Sequence, residues 1–218
     1  MLVPQRSQTV ETAVLSLVDV WDVFSTSLVA PLVGFLGGFA TAILAEPLRQ
    51  RLFRAKLKLE FGQSSDFITP AVIRGEGYEY KARYIRIRVR NVKRHLARSC
   101  RAFLVNIEKQ NEQGVFGQTQ YYDSVQLEWS AQPEDRFSAI DLPYGVNKYI
   151  DLLQTQSTSN TFDPCTEFFS FWLADELLRQ TGTFRFTILV SGDGIDPQVV
   201  RIVFSWGGEW DTFAVHKE

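Results

Sequence analysis

Histidine and cysteine are nearly missing from this chain of 218 residues, with two of each. His95 and His216 stand far apart, and the second is close to the last position, which argues against a histidine-rich metal site or a multi-histidine proton relay. Cys100 and Cys165 show no C-x-x-C spacing. That excludes the usual zinc frameworks and a dense disulfide scaffold. One disulfide, or two reduced thiols in a cytosolic domain, both remain open. Also lacking are a G-x-S-x-G elbow, an H-E-x-x-H pair and any Walker or Rossmann glycine fingerprint. His95 precedes Cys100 by a turn rather than facing it as a poised base, so Cys100 reads as a small buried strand residue and not as a nucleophile. The expectation is a non-catalytic protein with no cofactor and no metal. A formal charge of −2 gives no general attraction to nucleic acid, and 45% hydrophobic with 22% charged residues is the composition of a folded chain.

Two local absences are more informative. The first is charge: from Val23 to Ala45 there is none, over 23 residues. A helix needs about 20 such residues to cross the hydrocarbon core of a bilayer. Asp22 and Glu46 bracket the run, and Pro31 and Pro47 fall near its two ends, where proline harms a helix least. The run is read as a transmembrane helix. The alternatives are a buried soluble helix and a cleaved signal, although the late start and the acidic residues before it do not suit a signal. Arg49, Arg51, Arg54, Lys56 and Lys58 follow, while only Arg6 precedes, so the positive-inside rule puts the C-terminal side in the cytoplasm. Within the run Ala30, Gly34, Gly38 and Ala42 recur every four residues. They form a groove of small residues that lets another membrane helix, a copy or a different partner, approach closely. Before it, Val10, Val14, Leu17, Trp21 and Phe24 make one apolar helical stripe. It reads as a short amphipathic segment, or as a continuation of the span that packs against its own copies.

Past residue 55 the apolar period shortens to two. Leu57, Leu59 and Phe61 alternate, as do Ile85, Ile87 and Val89 against Arg86, Arg88 and Arg90. In 100–109 Phe103, Val105 and Ile107 are expected on one face. Further strands are expected at 125–130, 137–142, 146–153, 183–190 and 199–206, separated by turn residues such as those of "SGDGIDP". Seven to nine strands at this spacing predict a mainly β, antiparallel sandwich. Residues 154–161 read as a polar loop, and 163–182 as a short helical insertion with Thr166 at its start and Gly182 at its end. The organisation expected is an amphipathic segment at 1–22, a transmembrane helix at 23–46, a basic linker at 47–55 and a cytoplasmic β-sandwich at 56–218.

Val89, Asn91, Ala97 and Cys100 carry a resemblance. A strand ending in Val-x-Asn, a turn, then Ala-x-x-Cys opening the next strand is similar to a bacterial group of uncharacterised, membrane-anchored Ig-like β-sandwich proteins. It covers roughly residues 56–215, and departs at the turn, which here reads Lys93-Arg94-His95 instead of a glycine-rich sequence. The resemblance implies an Ig-like architecture and no activity.

The second absence is acidity. Residues 81–101 hold nine of the chain's 23 Lys and Arg and no Asp or Glu. Arg83, Arg86, Arg88 and Arg90 are therefore candidates for an anionic-partner surface, taking lipid headgroups or an anionic small ligand. The competing reading is a solvated face paired to Glu108, Glu128 or Asp151 on neighbouring strands. Tyr84 is the one aromatic close to the arginine face, too few for a base-stacking platform, so nucleic acid is disfavoured. Phe168, Phe169 and Trp172 are a candidate apolar partner surface, with capping of the core as the alternative. Asp193 and Asp196 read as turn residues before they read as calcium ligands. Gly207-Gly208 reads as a hairpin turn, with Trp206 and Trp210 packing core and edge. The function expected is a single-pass membrane-anchored interaction module. The alternative is a membrane sensor or effector whose sandwich binds an anionic small ligand while its helix oligomerises.

Overall fold

The computed structural model describes residues 54–121, 123–132, 135–159, 161–167, 177 and 179–218, together with Gly38 and Ala45. The chain divides into two compact units, Met1–Leu52 and Phe53–Glu218. In the first, Gly38 and Ala45 are helical and exposed. The expected amphipathic segment, and the expected span apart from these two residues, lie outside the described residues. Among the described residues no helix is long and apolar enough to cross a membrane.

The second unit is mainly β and sandwich-like, built from two antiparallel sheets. Strands β1 (Leu57–Glu60), β3 (Tyr78–Asn91), β9 (Asn147–Gln156) and β10 (Phe162–Pro164) form the spine of the first sheet. β2 (Ile68–Gly75) and β7 (Glu128–Trp129) add to β3 and β9. In the second sheet the order is β13 (Phe213–Lys217), β12 (Gln198–Trp206), β11 (Gly182–Asp193), β4 (Ala97–Gln110) and β5 (Phe116–Gln118). β6 (Val125–Gln126) and β8 (Ile140–Leu142) pair with β4.

Alternation sets the core, because successive strand side chains point to opposite faces. Ile85, Ile87 and Val89 are fully buried on β3 and belong to one hydrophobic cluster with Phe184, Phe186 and Ile188 of β11. Phe162, from the first sheet, sits among rings of the second. Its centroid is 4.9 Å from Phe204, 5.2 Å from Phe184 and 5.7 Å from Trp206, all edge-to-face. Such pairs add about 1 kcal/mol each to the burial of the rings.

Several local expectations are corrected. Beyond Cys100 on β4 the buried side chains are Ala102, Leu104 and Ile107, whereas Phe103 and Val105 lie half-buried on the other face. A bulge causes this: β11 pairs Thr187 with Asn106 but Ile188 with Leu104, so the phase of alternation changes within the strand. Residues 125–130 are not one strand. Val125–Gln126 pairs with β4 in the second sheet, and Glu128–Trp129 with β9 in the first, with Leu127 buried at the crossing. Gln154–Gln156 belong to β9 rather than to a loop. Asp163 and Pro164 belong to β10, Thr166 bridges to Leu127, and Gly182 opens β11 opposite Trp206 instead of ending a helix. The centre of the expected insertion, 168–176, lies outside the described residues. β2 was hidden by Pro70, which an edge strand tolerates because one side of it donates no ladder bonds. With the short strands β5, β8, β10 and β13, the described residues hold thirteen strands rather than seven to nine.

Candidate interaction surfaces

The motif residues of the β3–β4 turn have a clear physical role. Asn91 is fully buried. Its Nδ2 donates to the carbonyls of His95 (2.6 Å) and Leu142 (2.9 Å), and its Oδ1 accepts the Lys93 N–H (3.1 Å). One amide thereby closes the turn at 92–96 and ties it to β8, satisfying backbone groups that burial would otherwise leave unpaired. Ala97 and Cys100 are fully buried where β4 begins.

The four arginines do not form one surface. Arg86 and Arg88 lie on the outer face of the first sheet and are engaged. Arg86 Nε donates to Asp151 Oδ1 at 2.7 Å, and its Nη1 to Thr69 Oγ1 at 3.2 Å. Asp151 is 3% exposed and also accepts from the Ser130 hydroxyl. Arg88 reaches Glu60 Oε2 at 2.6 Å. Lys58 and Arg88 beside Glu60 hold its carboxyl below the usual range. The flanking rings are Tyr84 at 5.5 Å from Arg86 and Phe67 at 5.2 Å from Arg88, with Phe67 itself packed edge-on against Tyr149. Tyr84 is therefore not the one aromatic on this face. Of the partners weighed from sequence, Asp151 pairs with the ladder. Glu108 instead takes a two-pronged bond from Arg185 on the second sheet, and Glu128 pairs with Arg136.

Arg90 differs from its neighbours. It is exposed, stands opposite Lys58, and has no ion-pair partner among the described residues. Arg83 differs in the other sense: it shares the strand face of Ile85, in the half of β3 away from Asn91. Its guanidinium carbon lies 5.3 Å from the Trp210 ring centroid and 5.8 Å from that of Phe213. The loop that carries Trp210 runs from Gly207 to Thr212 and is closed by the Gly207 N–H on the Thr212 carbonyl at 3.2 Å, so the β12–β13 connection is longer than a two-residue hairpin. Trp206 is buried in the core, while Trp210 is half-buried at the surface. Between this loop and the β2–β3 pair opens a groove of about 420 Å³, lined by Pro70, Val72, Lys81, Ala82, Arg83 and Trp210. Sequence reasoning missed this groove. Its signal was the spacing of Arg83, two residues before Ile85, which places it on the core side of the ladder.

The thiols are separate and free. Burial, with Asp141 and Asp193 nearby, pushes the Cys100 thiol up to about 11, and burial raises Cys165 well above its ordinary range. This is opposite to what an activated thiolate needs. Asp196 of the β11–β12 turn bonds Arg54 at 2.7 Å. Ala30, Gly34 and Ala42 lie outside the described residues, as do Phe168, Phe169 and Trp172. Gly38 is helical, with open space where a Cβ would stand.

Compared with known proteins, the chain matches no family model and no curated protein. The likeness to the bacterial Ig-like group thus rests on the motif residues alone.

Proposed function

We propose that this protein is a non-catalytic interaction module: an Ig-like β-sandwich held at the cytoplasmic face of a membrane by one N-terminal helix. It offers the groove at Arg83 and Trp210 to an acidic partner segment. The observation that carries the reading is the Arg83–Trp210 pair. A cation stacked on a ring at 5.3 Å, beside exposed Lys81 and Val72, supplies charge and apolar area in one concave place. The uncharged run at 23–45 and the five cations after it support the anchor and its orientation. The small residues Ala30, Gly34, Gly38 and Ala42 are the proposed contact with another membrane helix. Raised thiols and engaged carboxylates support a role without bond chemistry. A second reading, an anionic small ligand in the same groove, is favoured by its volume, which lies in the range of small-molecule sites.

The test is affinity capture of the full chain in mild detergent, after a carbonate wash of membranes. Retention in the washed membranes is expected. The captured proteins or small anions are expected to vanish with Arg83→Ser and with Trp210→Ala, and to persist with Arg90→Ser. A chain released by the wash would remove the anchor from the proposal. A captured set indifferent to both groove variants would remove the groove.

A further inference from the structure

The sandwich has two chemically different ends. The groove occupies one. At the other the chain enters β1, and there Lys56, Arg90, Lys93, Arg94 and Arg98 are gathered without ion-pair partners among the described residues. Four segments meet to build this proximal end. The Val92 N–H donates to the Lys56 carbonyl (2.9 Å), the Gly145 N–H donates to the Asn91 carbonyl (2.9 Å), and Ala55 bridges to Ile195. Apolar side chains stand out among the cations. Tyr144 is 56% exposed and Leu96 41%, with Val92 and Val146 close behind. The acidic groups of the same end are Asp141, Asp193 and Asp196. Asp141 accepts the Ser99 N–H (2.9 Å) and Asp196 is bonded to Arg54.

We propose that this end is a lipid-contact surface that rests on the headgroups of an anionic bilayer. Unpaired cations meet the phosphates, and Tyr144, Leu96, Val92 and Val146 sink to the headgroup boundary. The inference rests on the anchored reading above and goes beyond it, from where the chain is held to how the domain is oriented. Interspersed Lys or Arg with exposed aliphatic and tyrosyl side chains is the composition that membrane interfaces select. Chain length agrees. From Glu46 to Arg54 the backbone spans at most about 30 Å when fully extended. Arg54 and Ala55, where the described part of the sandwich begins, are pinned to the β11–β12 turn at the same end as the cations. The groove at Arg83 is then directed away from the lipid and is open to the cytoplasm.

The experiment places the full chain in lipid nanodiscs, one set of phosphatidylcholine and one with phosphatidylglycerol added, and follows amide hydrogen exchange. Amides at 93–96 and 144–146 should exchange more slowly in the anionic discs. The difference should disappear in Lys93→Ser/Arg94→Ser/Arg98→Ser and shrink at high salt, since exposed charges are screened. Tyr144→Ser, which leaves every cation in place, should reduce it in part. Equal exchange in both discs, with the chain still embedded, would overturn the proposal and leave the anchor intact. If instead the chain is recovered without discs, the anchor fails and vesicle sedimentation decides the surface. Sedimentation with anionic vesicles only, weakened about 100-fold by the triple variant, would sustain it, and its absence would overturn it.

Discussion

Arg86 and Asp151 face each other across β3 and β9 with Nε and Oδ1 at 2.7 Å, and the carboxylate is almost entirely buried. The pair sits at a bulge, where β9 contributes an extra residue opposite Arg86. A buried ion pair is costly to break from one side, because the remaining charge stays desolvated. Asp151→Ala should therefore destabilise the domain by about 2–4 kcal/mol, read as a lowered urea midpoint. The double variant Asp151→Leu/Arg86→Met should cost clearly less. A double loss equal to the sum of the two single losses would show that the charges act independently.

Removal of the Phe162 ring should be more severe than its place on a three-residue strand suggests. It is the ring that the first sheet inserts among Phe184, Phe186, Phe204 and Trp206. Phe162→Ala should cost about 3–5 kcal/mol, and Phe162→Leu about half of that, by equilibrium denaturation.

Asn91→Leu keeps volume but removes three hydrogen bonds, stranding the carbonyls of His95 and Leu142 and the Lys93 N–H. A loss of about 3 kcal/mol is expected, from roughly 1 kcal/mol per bond. Amide exchange at 92–96 should accelerate more than in the rest of the domain. A uniform acceleration would mean that Asn91 acts on global stability alone.

Gly192 lies where β11 shifts register against β4. A Cβ there would meet the Arg98 carbonyl oxygen at 2.6 Å. Backbone cannot yield as a flexible side chain does, so Gly192→Ala should destabilise by about 1–3 kcal/mol. Gly194→Ala, two positions further on with open space but φ of +68°, should cost only about 1 kcal/mol from its backbone conformation.

Stability should decline at both extremes of pH. Glu60 and Glu108 are held below the ordinary 4.5 by Lys58 with Arg88 and by Arg185, respectively. Their contribution is complete above the unfolded value and is lost as pH falls through the lowered folded values. Glu128 is raised by burial, so its ionisation opposes folding in the weakly acidic range. At the alkaline side, Cys100 is pushed from 9.0 to about 11, and Tyr84 and Tyr121 from 10.0 to about 12, chiefly by burial. Each favours the protonated folded form, so stability is full below about pH 9 and is lost as pH rises towards 11–12. Thermal melts across pH should show a plateau between two falling limbs, and a Cys100→Ala variant should soften the onset of the alkaline limb.

Local alternation made much of the sandwich legible. Ile85, Ile87 and Val89 against Arg86, Arg88 and Arg90 fix β3 and its two faces without any tertiary information. Alternation fails where its phase changes. The bulge near Asn106 moved Phe103 and Val105 to the face opposite the expected one, and no residue in that stretch announces a bulge. The partners of the arginines depend on register between distant strands. Asp151 was legible as one carboxylate among several, but Glu60 meets Arg88 only because β1 lies antiparallel to β3 with those two residues opposed. The groove was unreadable for a related reason: Trp210 reaches Arg83 from a loop more than a hundred residues away.

The first and last strands of the domain are neighbours. Lys217 Nζ donates to the Leu59 carbonyl at 3.1 Å, and the Gln63 amide donates to the carbonyl of Val215. This has a consequence for the order of events during synthesis. The residues that seal β1 into the sandwich follow it by 158 positions. While that stretch of chain is being added, the apolar strands of the first sheet wait without their final cover, as targets for chaperones or for other nascent chains.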